Sequence, residues 1–256
     1  MTIFDTIILG IVEGITEFLP ISSTGHLILT TRLLQIAETD FVKTFIIVIQ
    51  LGAILAAAVL YWRRLLLDPR TLTLTMAAFI PTGVIGFVLY KVIKGLLGNP
   101  AIVVWSLLVG GVVMLAIERW LRDRRPRITH VRDISYGQAV VIGTCQALSM
   151  IPGVSRSAAT IMTGLVLGVE RKAIVEFSFI LAIPTMVAAS AYEIYKTRHQ
   201  MDLAQLDLLA VGFVVAFVLA LVAIKFLVRF VQTHTFNAFG IYRIAAAIAF
   251  WLIVLR

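Results

Sequence analysis

The chain has 256 residues, 60% of them hydrophobic and 14% charged, against roughly 25% charged in an ordinary soluble domain. So few polar groups cannot cover a water-soluble globular surface, which excludes that class. The formal net charge of +8 points to an anionic partner, and because the basic residues sit between apolar blocks, membrane lipid accounts for them better than nucleic acid.

The first apolar run, 3–19, has no basic stretch before it; its first charges are Asp5, Glu13 and Glu17. It is therefore expected to be retained rather than cleaved as a signal peptide. Glu13 and Glu17 are four apart and share one face of a helix. Carboxylates inside an apolar segment are costly and usually functional. Two uses suit them: holding Mg²⁺ or Ca²⁺, which take carboxylate oxygens together with substrate phosphates, or service as a general base. The turn Pro20-Ile-Ser-Ser-Thr-Gly25 follows, then a run at 24–36 that is too short to span a bilayer, since ~30 Å of hydrocarbon needs about 20 residues. One hydroxyl among Ser22, Ser23 and Thr24 is explained as a helix cap. The rest, with Gly25 for close approach, suit an anion such as phosphate at a helix N-terminus, and His26 beside it is a candidate for acid–base duty.

Runs at 42–62, 72–90 and 101–118 are long enough to span, and an arginine-rich loop follows them. The run at 134–150 then leads into Pro152-Gly-Val-Ser-Arg-Ser157 and a second short run at 157–168. Arg156 stands in that turn between Ser155 and Ser157, too deep to snorkel easily, and its planar fork suits bidentate phosphate binding. Spans at 173–195, 207–228 and 238–255 complete the chain. Cys145, the single cysteine, reads as a buried thiol. Gln50 and Gln146 read as interhelical hydrogen bonders, and Gly10-x-x-x-Gly14 and Gly164-x-x-x-Gly168 as close-packing patterns. Glu176 and Arg243 lie near segment ends, where solvated or snorkelled roles suffice. No P-loop, HExxH or paired CxxC pattern is present.

A shift of 132 positions lays Pro20 on Pro152, Ser23 on Ser155 and Phe45 on Phe177. The fold class expected is thus an all-α integral membrane protein, built as an inverted-topology repeat. Residues 1–130 form a re-entrant helix-turn-helix hairpin at 3–36 plus three spans; residues 131–256 repeat this with a hairpin at 134–168. That makes about six full transmembrane spans, and such repeats place their site near the midplane. Seven lysines and arginines fall on one side, Lys43, Lys94 and Arg256 among them, and thirteen on the other, including Arg63, Arg64 and Arg119. The second side is expected to be cytoplasmic, with both termini outside.

Two motifs carry a resemblance. Glu13-Gly-Ile-Thr-Glu-Phe-Leu-Pro-Ile-Ser-Ser-Thr-Gly-His-Leu27 and Pro152-Gly-Val-Ser-Arg-Ser157 are similar to the signatures of the undecaprenyl-diphosphatase family, bacterial membrane enzymes linked with bacitracin resistance, and Phe239-Gly-Ile-Tyr-Arg-Ile244 resembles that family's C-terminal pattern. Ala158 departs from it, standing where the family usually has Gly; a positive φ there would strain an alanine. The resemblance implies hydrolysis of undecaprenyl diphosphate to the monophosphate carrier lipid and inorganic phosphate, dependence on Mg²⁺ or Ca²⁺, and a homodimer. It assigns roles to Glu13, Glu17, Ser23, His26 and Arg156, with Ser22, Thr24 and Ser155 in support.

The mechanism expected has Arg156, both short-helix N-termini and a divalent ion on Glu13 or Glu17 gripping the diphosphate. Ser23 is the candidate nucleophile. Glu17 or His26 activates it, or activates water directly, and the other assists proton transfer. The site is expected to open to the periplasmic side of the inner membrane. The alternative class is a polyprenyl-phosphate flippase or other transporter of an anionic lipid, since broken helices in inverted repeats are transporter architecture.

Overall fold

The computed structural model describes residues 1–96, 99–199, 202–203 and 205–255. Of the charges counted for orientation, Arg256 and the Lys94 side chain lie outside the described residues. Every apolar run becomes a helix: α1 Ile3–Thr16, α2 Ser23–Leu33, α3 Asp40–Leu66, α4 Pro69–Leu96, α5 Pro100–Trp120, α6 Tyr136–Gln146, α7 Arg156–Val166, α8 Arg171–Thr197, α9 Leu206–Phe230 and α10 Asn237–Phe250. A 3₁₀ turn at Ala147–Met150 extends α6, and a wider π turn at Trp251–Leu255 extends α10. Among the described residues there is no strand beyond one isolated bridge between Ile128 and Val169. Among the described residues five helices, α3, α4, α5, α8 and α9, are long and apolar enough to cross a membrane, and Asn237–Ile253 is apolar but shorter. The protein is an all-helical, multi-pass membrane protein.

The short helices come in two matched pairs. Thr2 caps α1 and Ser135 caps α6, each in a reciprocal box, with Asp5 and Gln138 respectively, so each of these two helices begins with a pair of its otherwise open N–H groups satisfied. Ser22 caps α2 and Ser155 caps α7, each accepting from the N–H three residues on. α2 and α7 are both 11 residues long, and each ends before a left-handed residue, Gln35 at φ 53° and Gly168 at φ 85°. All these pairs are 133 positions apart, a correction to the shift of 132 read from the sequence. The long helices that follow, α3 and α8, both of 27 residues, begin at Asp40 and Arg171 and are offset by 131, because the loop before α3 is two residues longer. A single shift of 132 splits that difference.

Packing is reciprocal between the pairs. α9 lies along α1 and α3, whereas α4 lies along α6 and α8; α5 packs on α10. The approach of α1 to α9 leaves no room for side chains at the crossing: a Cβ on Gly14 would sit 2.6 Å from the Ala216 carbonyl oxygen. Phe18 of the first turn and Phe177, Phe179 and Ile180 of α8 are fully buried in one apolar cluster. Glu176 is ion-paired with Arg64. Arg243, expected near a solvated segment end, is instead fully buried, because the face of α10 that carries it lies against α5 and the two turns.

Candidate active site

The turns between α1 and α2 and between α6 and α7 meet around one cavity of 410 Å³. Glu13, Glu17, Ser22, Ser23, Thr24, Ser155 and Arg156 all line it, and Glu38 and Lys43 stand at its rim. Glu13 lies on the last turns of α1 and is buried, and its Oε2 has no hydrogen-bond partner. Glu17 closes that helix as its C-cap and therefore faces the turn. Its Oε2 accepts a 2.5 Å hydrogen bond from Ser23 Oγ, and its Oε1 lies 3.5 Å from Arg156 Nη2. The first helical residue of α2 and that of α7 thus converge on one carboxylate.

Arg156 donates through Nη1 to the Ser178 carbonyl on α8 at 3.0 Å, and its guanidinium carbon lies 5.5 Å from the Phe18 ring centre. Among the described residues its Nε and Nη2 have no hydrogen-bond acceptor; Nη2 faces Glu17 at ion-pair distance, and the donors of this buried cation are left with hydrogen-bonding capacity for an anion. Ser178 Oγ beside it is also buried and unpartnered; inside an apolar helix its only signal in the sequence was its polarity. At the starts of α2 and α7, the N–H groups of Ser23, Thr24, Arg156 and Ser157 have no acceptor within their own helices. They add the positive ends of two helix dipoles to the same space. The turns are tied together directly by Ser157 Oγ, which donates to the Leu19 carbonyl at 2.9 Å.

Gly25 and His26 are not brought into this cavity. Gly25 is buried where an added Cβ would meet Val103, and its N–H is taken by Ser22 Oγ at 3.4 Å. His26 faces α10. Its Nδ1 lies 2.7 Å from the Ser22 carbonyl, which can only accept, so Nδ1 carries the proton. Nε2 then accepts from the Tyr242 hydroxyl at 2.7 Å, with the two rings stacked at 5.6 Å. Gln146 does bond between helices: it donates to Thr82 and Thr185 and accepts from Thr160. By the offset of 133 it is the counterpart of Glu13, so the second turn holds a satisfied amide where the first holds a carboxylate with a free oxygen. Gln50 lines the cavity wall. Ala158 lies inside α7 and is not among the residues of positive φ; those of that turn are Gly153 and Ser155, so the alanine is unstrained.

Among the described residues no cluster of three or more His, Cys, Asp or Glu side chains could hold a metal ion alone. Two neighbouring carboxylates, one with an orphaned buried oxygen, still fit a hard divalent cation that takes its remaining oxygens from a phosphate substrate.

A family model described as bacitracin resistance protein BacA matches residues 6–249. The chain belongs to the BacA family. Among BacA relatives, the undecaprenyl-diphosphatase of Sulfurihydrogenibium sp. (strain YO3AOP1) is 50% identical over 252 residues, covering 98% of this chain and 99% of that protein. The protein of the same name from Aquifex aeolicus is 47% identical over 251 residues, 98% of either chain. That from Persephonella marina is 49% identical over 255 residues and spans both chains completely. The similarity covers both turns and the α10 segment of this BacA chain.

Proposed function

We propose that the chain is an undecaprenyl-diphosphatase, hydrolysing undecaprenyl diphosphate to undecaprenyl phosphate and inorganic phosphate and so recycling the carrier lipid of cell-wall synthesis. Full-length identity of 50% to an enzyme of that name supports the activity. The observation that carries the mechanism is the 2.5 Å contact of Ser23 Oγ with Glu17, beside Arg156 at 3.5 Å.

Ser23 is the nucleophile and Glu17 its base. Ser23 Oγ attacks the terminal phosphorus while its proton passes to Glu17; the anhydride P–O bond breaks, and the lipid monophosphate leaves with the electron pair and takes the proton from Glu17. Water then attacks the phosphoserine, Glu17 accepts its proton and returns it to Ser23, and inorganic phosphate departs. Arg156 and the N–H groups at the starts of both short helices hold the phosphoryl oxygens as charge spreads over them. Ser22 and Ser155 fix the two turns as caps. Glu13 and Glu17 would hold Mg²⁺ or Ca²⁺, and such an ion supplies positive charge against the diphosphate oxygens. His26, with both ring nitrogens engaged, holds the Ser22 backbone in place.

The chain is read as two inverted repeats, 1–130 and 131–256, in the bacterial inner membrane. α1–α2 and α6–α7 are re-entrant hairpins, and α3, α4, α5, α8, α9 and α10 are six spans. In support, an 11-residue helix reaches only ~17 Å at 1.5 Å per residue, and the capped pairs recur at one offset. The cavity rim at Glu38 and Lys43 is on the side with fewer basic residues, which supports termini and site opening to the periplasmic side.

The test is phosphate release from a polyprenyl diphosphate by detergent-purified protein, with Glu17→Gln, Ser23→Ala and Arg156→Ala alongside. Each variant is expected to lose about 10²-fold or more in kcat. Equal activity in all four proteins would remove the site assignment.

A further inference from the structure

Arg243 on α10 makes five hydrogen bonds, and all of them end on backbone carbonyls of other segments. Nη1 donates to Pro20 at 3.3 Å and Val154 at 3.0 Å, Nη2 to Gly153 and Ser106 at 3.0 Å each, and Nε to Leu107 at 3.4 Å. A guanidinium has five N–H donors in a fixed fork, so every donor is used. The side chain is 0% exposed, and among the described residues no carboxylate pairs with it. Burying a charge with no counter-ion is costly, and an apolar side chain would join α5 to α10 without that cost.

The identity of the carbonyls gives the reason. Pro20 lies three residues before Ser23, and Gly153 three before Arg156; the two are the same position of their turns under the offset of 133. One rigid group therefore spans equivalent points of the turn that carries Glu17 and Ser23 and the turn that carries Arg156. We propose that Arg243 is a positioning residue which, resting on the site assignment above, sets the separation of the two turns so that Ser23 and Arg156 address the same phosphoryl group. It touches no substrate: Gly153 lines the cavity and Arg243 lies behind it. Its access depends on Gly110, where an added Cβ would come within 2.2 Å of Nη2.

Lysine keeps the charge but has three donors on a point-like head and cannot span both turns. Arg243→Lys, Arg243→Met and Gly110→Ala are compared with wild type and with Leu227→Ala, a core variant in α9 that does not line the cavity, by polyprenyl diphosphate hydrolysis and thermal unfolding in detergent. Gly110→Ala leaves Arg243 in the chain and displaces only the end of its side chain, so it carries the test if the Arg243 variants fail to fold. The expected result is a fall in kcat of ~10²-fold, the scale for an ångström of misplacement, with KM within about twofold, since none of the groups that hold the phosphate is removed. Leu227→Ala is expected to unfold earlier and keep its kcat. Folded Arg243 or Gly110 variants with wild-type kcat would overturn the inference, as would a kcat loss matched by Leu227→Ala at the same loss of stability. A wild-type protein that releases no phosphate would instead overturn the reading of the site itself, and this inference with it.

Discussion

Ser22 and Ser155 hold the same left-handed backbone conformation, φ 72° and φ 74°, each one residue before a helix. A non-glycine residue there stores roughly 1–3 kcal/mol, and each serine offsets part of it by accepting the N–H three residues on, from Gly25 and from Ala158. The kink turns the next residue, Ser23 in one case and Arg156 in the other, into the shared cavity. One backbone device is used twice, and the chemistry is divided between its two copies.

The second copy gives a separable pair of outcomes. Ala158→Gly should leave kcat unchanged, because the position is helical, and should lower stability by about 0.5–1 kcal/mol through backbone entropy. Ser155→Ala keeps the strained φ but loses the cap, at about 1 kcal/mol, and releases Arg156 from its heading, so both stability and kcat fall. Thermal unfolding and phosphate release on the same preparations check this; a marked kcat loss in Ala158→Gly would contradict it.

Ser23 and Glu17 should behave as one unit. Removing either is expected to cost ~10²–10⁴ in kcat, and Ser23→Ala combined with Glu17→Gln should be little worse than either alone, since each is useless without the other. Multiplicative losses in the double variant would mean that the two act separately, with water rather than Ser23 as the attacking group. Trapping of labelled phosphate on wild-type protein after acid quench, and its absence in Ser23→Ala, is the direct measurement.

The helices and the paired acidic and basic turns were legible because each depends on local signals: run length, capping residues and charges embedded in apolar sequence. The register of the repeat was not, because Pro20 and Pro152 invite an alignment that the caps do not share; in the fold Pro20 matches Gly153. The orientation of His26 depends on Tyr242, and the burial of Arg243 on Gly110 and on two turns far away in sequence. No periodicity within α10 carries that information. Glu13 and Gln146 occupy matching positions, yet only the hydrogen bonds around each show that the amide is satisfied and the carboxylate is not.

Glu13 should govern the cation rather than the proton. Ser23 and Arg156 engage the two Glu17 oxygens, not those of Glu13, whose buried Oε2 has no hydrogen-bond partner among the described residues. Activity is expected to disappear with a chelator and return with Mg²⁺ or Ca²⁺. In Glu13→Gln the cation concentration for half-maximal rate should rise by about 10–100-fold, with the rate partly recovered at saturation. Glu17→Gln should not recover at any cation concentration. An unchanged cation titration in Glu13→Gln would remove it from the ion site.

His26 tests whether a histidine beside a phosphate site is an acid–base group or a brace. Its Nδ1–H is committed to the Ser22 carbonyl and its Nε2 to the Tyr242 hydroxyl, which leaves no nitrogen for the substrate. Tyr242→Phe removes the outer bond only and should lower kcat by less than about tenfold, in line with the ~1 kcal/mol of a typical hydrogen bond. His26→Ala removes the brace on Ser22 and should cost more. Neither should shift the acid limb of the kcat/KM profile against pH, since an imidazole with both nitrogens committed to the protein transfers no proton. If His26→Ala abolishes it, the proton passes through His26 in a rearranged active state.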